Sequence, residues 1–238
     1  MTWHLNRLAG FDLETTGIDV EVDRIVTACV VQCGGDLPVA SATWLCDPGI
    51  DIPEQAAAVH GITTERARAE GLPAAEVVAD VLAALGQVIA AGIPVVAMNA
   101  RYDLTLLDRE ARRHGLDPLP AGPVIDPFVL DKHLDRFRRG TRKLVDLCKH
   151  YGVQLGDAHT ADADAIAACR IAWRIGSTRP ELAAMPLEAL HTQQAAWAAE
   201  QAQSLADYFR RTPGKEHQAA GVRPEWPVIP AQRTGDAS

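Results

Sequence analysis

The sequence predicts an α/β domain built on a mixed sheet. Three apolar runs, 8–13, 24–33 and 39–46, follow one another with polar, Gly-containing breaks that suit hairpin turns. Beyond them, short apolar runs alternate with segments of helical period, an order that lays helices against a sheet.

The elements read in order as follows. Residues 8–13 are mostly apolar and lead straight into acids. The second run carries Ile25, Val26, Val30 and Val31, and the third alternates loosely. Residues 53–60 suit a short helix ended by Gly61, and Thr63 and Thr64 can cap another turn. From 73 to 91, Val77, Val78, Val81, Leu82, Leu85 and Ile89 recur at helical spacing until Gly92. Residues 94–98 read as a buried strand. Residues 101–114 return to helical period through Leu104, Leu107 and Ala111, and Gly115 closes them. Val124 and Ile125 make a brief strand ending at Asp126, and Pro127 suits the first position of a helix running to about Leu134. Residues 144–151 form another short helix, and Thr160 can cap a longer one through Ile175.

A main domain therefore occupies residues 1–176. An Ala/Gln-rich helical extension follows within 177–211, with its helix over 187–211. The last stretch, 212–238, holds Pro213, Pro224, Pro227 and Pro230 with little periodicity, and reads as a tail that is disordered or lies against the domain.

Composition bounds the function. At 238 residues and 47% apolar, the chain can bury one substantial core. The net charge of −8 argues against a protein that coats nucleic acid, but not against an enzyme gripping a few terminal nucleotides. The five cysteines form no CxxC pair, so buried reduced thiols are expected in place of a zinc set. No signal-like start occurs, and no apolar run reaches the roughly 18 residues that span a bilayer. The chain reads as soluble and cytoplasmic, with no membrane partner.

The strongest chemical signal is Phe11-Asp12-Leu13-Glu14-Thr15-Thr16-Gly17. Alternate side chains on a strand share a face, so Asp12 and Glu14 point one way while Phe11 and Leu13 point the other. Two adjacent carboxylates repel unless a cation lies between them. Oxygen-only ligands suit Mg²⁺ or Mn²⁺. Asn99-Ala100-Arg101-Tyr102-Asp103 then places Asp103 in the first turn of a helix after an apolar strand, where an acid is also favourable for the helix alone. His159-Thr160-Ala161-Asp162-Ala163-Asp164 puts Asp164 on the first turn of a late helix, with His159 just ahead.

The ordered set is Asp-x-Glu on a strand, Asp after a later strand, then His-x₄-Asp on a late helix. It resembles the DnaQ-like, or DEDDh, 3′→5′ exonucleases, whose fold is RNase H-like. The resemblance runs from about Leu8 to Arg174, and Val59-His60-Gly61-Ile62-Thr63 adds to it. It implies that Asp12, Glu14, Asp103 and Asp164 bind two divalent cations, Mg²⁺ or Mn²⁺, with His159 as general base. Such ions sit roughly 3.5–4 Å apart, activating water and stabilising the leaving oxygen. It also implies that Asp126 supports the site and that Thr15, His60 and Tyr102 line the terminal-nucleotide pocket. His60 can equally be a helix-ending residue, and Tyr102 can equally be core.

The implied substrate is a 3′ end of DNA, single-stranded or frayed, with RNA as the alternative. Glu14-Thr15-Thr16-Gly17 looks more like the proofreading group than like the Glu-Met-Thr-Gly of oligoribonucleases. Basic residues cluster at Lys132, Arg136, Arg138, Arg139, Arg142, Lys143 and Lys149, between two site segments. Arg138, Arg139 and Arg142 are expected to contact phosphates. Arg109, Arg112 and Arg113 read as a solvated surface. The family's replicative members bind a polymerase and often a sliding clamp, and Gln203-Ser204-Leu205 with Tyr208-Phe209 makes no convincing clamp motif. The C-terminal extension is a candidate surface for a DNA polymerase or for a second copy of the chain.

Overall fold

The structure, a computed structural model, describes residues 2–156 and 160–231. It opens with a 3₁₀ turn, Trp3–Leu5, then three strands: β1, Leu8–Thr15; β2, Ile25–Cys33; and β3, Ala40–Asp47. Two short helices follow, α1 at Glu54–His60 and α2 at Thr64–Glu70. The Thr63 side chain caps α2 by accepting from the Arg66 amide at 3.2 Å. A two-residue strand, β4 (Leu72–Pro73), leads into α3 (Ala74–Ala90). Then come β5 (Val95–Val96), α4 (Ala100–Arg113), β6 (Val124–Ile125) and α5 (Pro127–Leu134). The chain closes with α6 (Leu144–Tyr151), α7 (Ala161–Thr178), α8 (Pro180–Ala183), α9 (Leu187–Arg211) and a 3₁₀ turn at Glu216–Gly221.

The six strands lie in the order β4-β3-β2-β1-β5-β6. β1 runs antiparallel to β2, with Asp12 opposite Cys29 and Glu14 opposite Thr27. On its other edge it runs parallel to β5, with Ala9 opposite Val95. The sheet is therefore mixed, as the hairpin runs and the later alternation predict. A strand paired on both edges lies inside, and Ala9 and Phe11 are completely buried. The predicted strand over 94–98 shortens to Val95–Val96 because the chain leaves the sheet and turns through Asn99, at φ 61°, into α4. β4 and α8 carry too few residues for any period to show. Pro73 is tolerated in β4 because that strand is the sheet edge.

One glycine fixes the distance between the sheet and α7. A Cβ on Gly10 would lie 2.5 Å from the Ala165 carbonyl oxygen and 3.0 Å from Cys169 Sγ. The helix that carries Asp164 therefore rests directly on the strand that carries Asp12 and Glu14. Around this contact the buried core gathers Phe11, Leu85, Leu106, Ile125, Leu147 and Ile171. The cysteines are all free thiols; Cys29, Cys46, Cys148 and Cys169 are buried.

The C-terminal segments pack on the domain. α9 lies against α5 and β6. Its buried Gln194 donates to the Val124 carbonyl at 2.9 Å and accepts from the Asp126 amide at 2.7 Å. Residues 222–230 return across α4: the Ile229 amide donates to Thr105 Oγ1 at 3.0 Å, and Arg101 Nη1 donates to the Arg223 carbonyl at 2.7 Å.

Gly10→Ala is expected to push α7 off β1. Overpacking of this kind costs about 1–3 kcal/mol, readable by urea unfolding. Unchanged stability would mean that α7 is free to shift without penalty.

Candidate active site

β1 delivers Asp12 and Glu14 to one face, two residues apart, and the Gly10 contact brings α7 with Asp164 over that face. Carboxylate oxygens of Asp12, Glu14 and Asp164 lie within 4.8 Å of one another. Burial first, and then Asp103, Asp164 and Glu14, push the Asp12 carboxyl well above the usual range. Burial and Asp164 push Glu14 up to about 7. An all-oxygen set whose members each oppose the ionisation of the others fits a hard divalent cation such as Mg²⁺ or Mn²⁺.

Asp103 stands beside this trio and outside the 4.8 Å set. It is buried on the first turn of α4, and its Oδ1 accepts from the Leu13 amide at 3.2 Å. That bond ties α4 to β1 between the two strand carboxylates. Asp103 therefore raises the Asp12 pKa while one of its own oxygens serves the backbone.

The head of α4 is held in turn by Asp126. Its Oδ1 accepts from the Asn99 amide at 3.0 Å and the Phe128 amide at 2.9 Å, and its Oδ2 accepts from the Ala100 amide at 3.0 Å. Trp226 Nε1 adds a further bond to Oδ2 at 3.1 Å. Burial still holds the Asp126 carboxyl at about 6, although these donors pull it down. Sequence reasoning placed Asp126 and missed Trp226 and Gln194, whose segments carry no motif. The one available signal was a tryptophan between two prolines in an otherwise polar tail.

Thr15 and Tyr102 meet directly. Their hydroxyls are 2.6 Å apart, and both reach the Gly17 carbonyl. Burial raises the Tyr102 phenol to about 12, so it stays protonated. His60 Nδ1 accepts from the Ile62 amide at 3.2 Å, which puts the proton of the neutral ring on Nε2. Nε2 is buried and makes no hydrogen bond of ordinary geometry among the described residues. Burial lowers the His60 pKa, with the Thr15 backbone opposing. His60 and Glu14 share the wall of a cavity of about 370 Å³ with Trp44, Ile62 and Asp162.

His159 lies outside the described residues. Arg138 and Arg142 differ from the expected phosphate contacts: buried Asp131 takes both, at 3.1 Å and 2.8 Å, and also accepts from the Tyr151 hydroxyl at 2.9 Å. Their charge is spent on joining α5, the following loop and α6. Arg139 is exposed and enters no ion pair among the described residues. Arg109, Arg112 and Arg113 pair with Glu21, Asp108 and Glu110, and Arg109 is buried. The solvated surface expected there is a set of ion pairs on α4 instead.

The fold and the carboxylate set together define a nuclease-type α/β domain. The profile of the Exonuclease family (RNase_T) matches residues 9–172, and the chain belongs to that family. It is 32% identical over 155 residues to a PolC-type DNA polymerase III of Lacticaseibacillus paracasei, covering 65% of this chain and 10% of that one. Against the PolC-type enzyme of Oceanobacillus iheyensis it is 28% identical over 165 residues, covering 69% and 11%. The chain thus spans about a tenth of the length of these relatives. Among solved structures, Escherichia coli Exonuclease I in complex with a dA16 oligonucleotide superposes with a TM-score of 0.64 at 21% identity, over 75% of this chain and 42% of that one. The zinc-bound form of the same enzyme with single-stranded DNA gives 0.64 at 22% identity, over 74% and 41%. The shared fold is the RNase H-like mixed sheet flanked by helices. Among the described residues, no helix is long and apolar enough to cross a membrane.

Glu14 keeps its proton in the metal-free fold at pH values where the unfolded chain has lost it. Its contribution to stability is therefore present below its ordinary 4.5 and lost as the pH rises through about 7. A divalent ion reverses that loss, so Mn²⁺ should raise the unfolding temperature more at about pH 8 than at about pH 5. Equal shifts, or none, would remove the trio as a cation site. Trp226→Phe removes one donor from a buried carboxylate and should cost about 1.5–3 kcal/mol in urea unfolding. A change of under about 0.5 kcal/mol would show that Asp126 does not depend on Trp226.

Proposed function

We propose that the chain is a 3′→5′ exonuclease that hydrolyses the terminal phosphodiester at the 3′ end of DNA, on single-stranded or frayed ends. The products are a nucleoside 5′-monophosphate and a strand shorter by one nucleotide with a new 3′-hydroxyl. The convergence of Asp12, Glu14 and Asp164 at the end of the central strand carries this reading. Membership of the Exonuclease family supports it. The choice of DNA is supported by relatives named DNA polymerase III and by a structural neighbour solved with a dA16 oligonucleotide.

In this reading Asp12, Glu14 and Asp164, with Asp103 beside them, hold two divalent cations. Bound there, the ions supply Lewis acidity toward water and toward the phosphate. His159 accepts the proton of the attacking water, a task suited to a side chain that titrates near neutrality. Thr15, His60 and Tyr102 border the terminal nucleotide. The Tyr102 ring offers a face to its base. Asp126 holds the head of α4, and so the position of Asp103. Of Arg138, Arg139 and Arg142, exposed Arg139 is the one left for phosphate contact.

His159→Ala is expected to keep Mn²⁺ binding by calorimetry while slowing cleavage at least about a hundredfold. Near-wild-type cleavage would remove His159 from the mechanism. The substrate is read by comparing matched labelled DNA and RNA strands, single and double, with Mg²⁺, Mn²⁺ and EDTA. Faster release from single-stranded DNA supports the proposal, and faster release from RNA assigns the site to RNA ends.

A further inference from the structure

A trough leads away from the head of α4, on the side of the fold built by the C-terminal extension. It starts at Asn99, one helical turn before Asp103. A hollow of about 510 Å³ there is walled by Asn99, Phe128, Arg142 and Lys143. A second, of about 210 Å³, shares Asn99 and Phe128 and adds Arg101, Lys132 and Gln201 of α9. A third, of about 300 Å³, shares Lys132 and Gln201 and adds Arg136, Phe137 and Trp197. Shared walls make the three hollows neighbours in a row from α4 across α5 to α9.

Its charge is unlike that of the neighbouring face of α4. The chain carries a net −8, and Arg24, Arg109, Arg112 and Arg113 on and beside α4 all find carboxylates. In the trough, Arg101, Lys132, Arg136 and Lys143 enter no ion pair among the described residues. Arg101 Nη1 donates to a backbone carbonyl, and Arg136 donates to Ser204 Oγ at 2.7 Å. Arg101 Nε is buried without a hydrogen-bond partner among the described residues. Arg142, Arg101 and Arg136 add to burial in lowering the Lys132 pKa, so the cations act on one another. The acids on the walls are Glu200 and the fully engaged Asp126.

Aromatic rings are interleaved with these cations. Phe137 is 85% exposed, with the Arg136 guanidinium 5.6 Å from its ring centre. Lys132 Nζ lies 5.5 Å from the Phe128 ring, and Trp197 stacks on His133 at 3.7 Å. Cations without ion pairs beside the exposed Phe137 ring and the half-buried Phe128 ring suit a flexible polyanion of stacked bases.

We propose that this trough holds the 5′-ward part of a single-stranded nucleic acid whose 3′ end sits at the carboxylates; this rests on the exonuclease reading above. The α9 extension then lengthens the grip of an acidic domain on its substrate without altering the chemistry at the end of the strand. A short strand ends before the trough, and a long one crosses it.

The test compares wild type with the double variant Arg136→Ala/Phe137→Ala, both positions being exposed, and with Lys132→Ala. Cleavage is measured on strands of about four and about 16 nucleotides. Affinity for the long strand is measured by anisotropy in EDTA over a salt series. For the variants the expected result is a KM and Kd for the long strand raised at least about tenfold, with a shallower salt slope. The kcat on both strands and the KM for the short strand should stay at wild-type values. Equal loss on both lengths, or no loss on either, overturns the proposal. If wild type cuts neither strand, the exonuclease reading fails. The EDTA binding series still decides the trough: equal long-strand affinity of variant and wild type overturns it.

Discussion

Carboxylates repel one another, and at the end of a buried strand water screens that repulsion poorly. Asp12, Glu14 and Asp164 nonetheless converge within 4.8 Å, with buried Asp103 alongside. Each has to be held against the others by something stronger than its own preference. β1 is locked by pairing on both edges. α7 is seated on Gly10, and α4 is fastened to the Leu13 amide. The sheet, the late helix and the fourth helix are thus three clamps on one electrostatic conflict. A bound cation turns that conflict into affinity, because the charge is already gathered before the ion arrives.

The support does not end with the residues that face the cluster. Asp126 anchors the head of α4 with two backbone bonds and caps α5 with a third, while Gln194 from α9 and Trp226 from the tail fix Asp126 and its amide. Residues 222–230 also bond to α4 directly through Arg223 and Ile229. Segments remote in sequence from every motif therefore bear on where Asp103 stands.

This explains which parts of the molecule were legible in the sequence. Asp12 and Glu14 were readable because a period of two on an apolar strand dictates a shared face, whatever the rest of the fold does. Helices such as α3 were readable because their apolar residues repeat, and α6 and α9 span the ranges read from the sequence. The basic loop was not. A run of arginines is the same string whether it meets phosphate or a buried acid, and only the fold brings Asp131 under Arg138 and Arg142. Arg109 misled in the same way, since its partner Glu21 is far away along the chain. Trp226 was hidden for a further reason: a single hydrogen bond at the end of an aperiodic tail leaves no pattern to detect.

Charge placement follows from the same distinction between paired and unpaired groups. Summed over the chain, the charge is negative and opposes nucleic acid. The sum misleads because paired ions largely cancel at a distance, leaving the uncompensated ones to set the local field. Acids gather at the end of β1, in a set that could hold a cation. Among the described residues, Lys132, Arg136 and Lys143 enter no ion pair along α5 and the loop after it, beside the Phe128 and Phe137 rings. Divalent ions at the end of β1 would offset the carboxylate charge, and a phosphate chain would then meet mainly the bases along α5. A negative total charge is therefore compatible with local contacts to a polyanion.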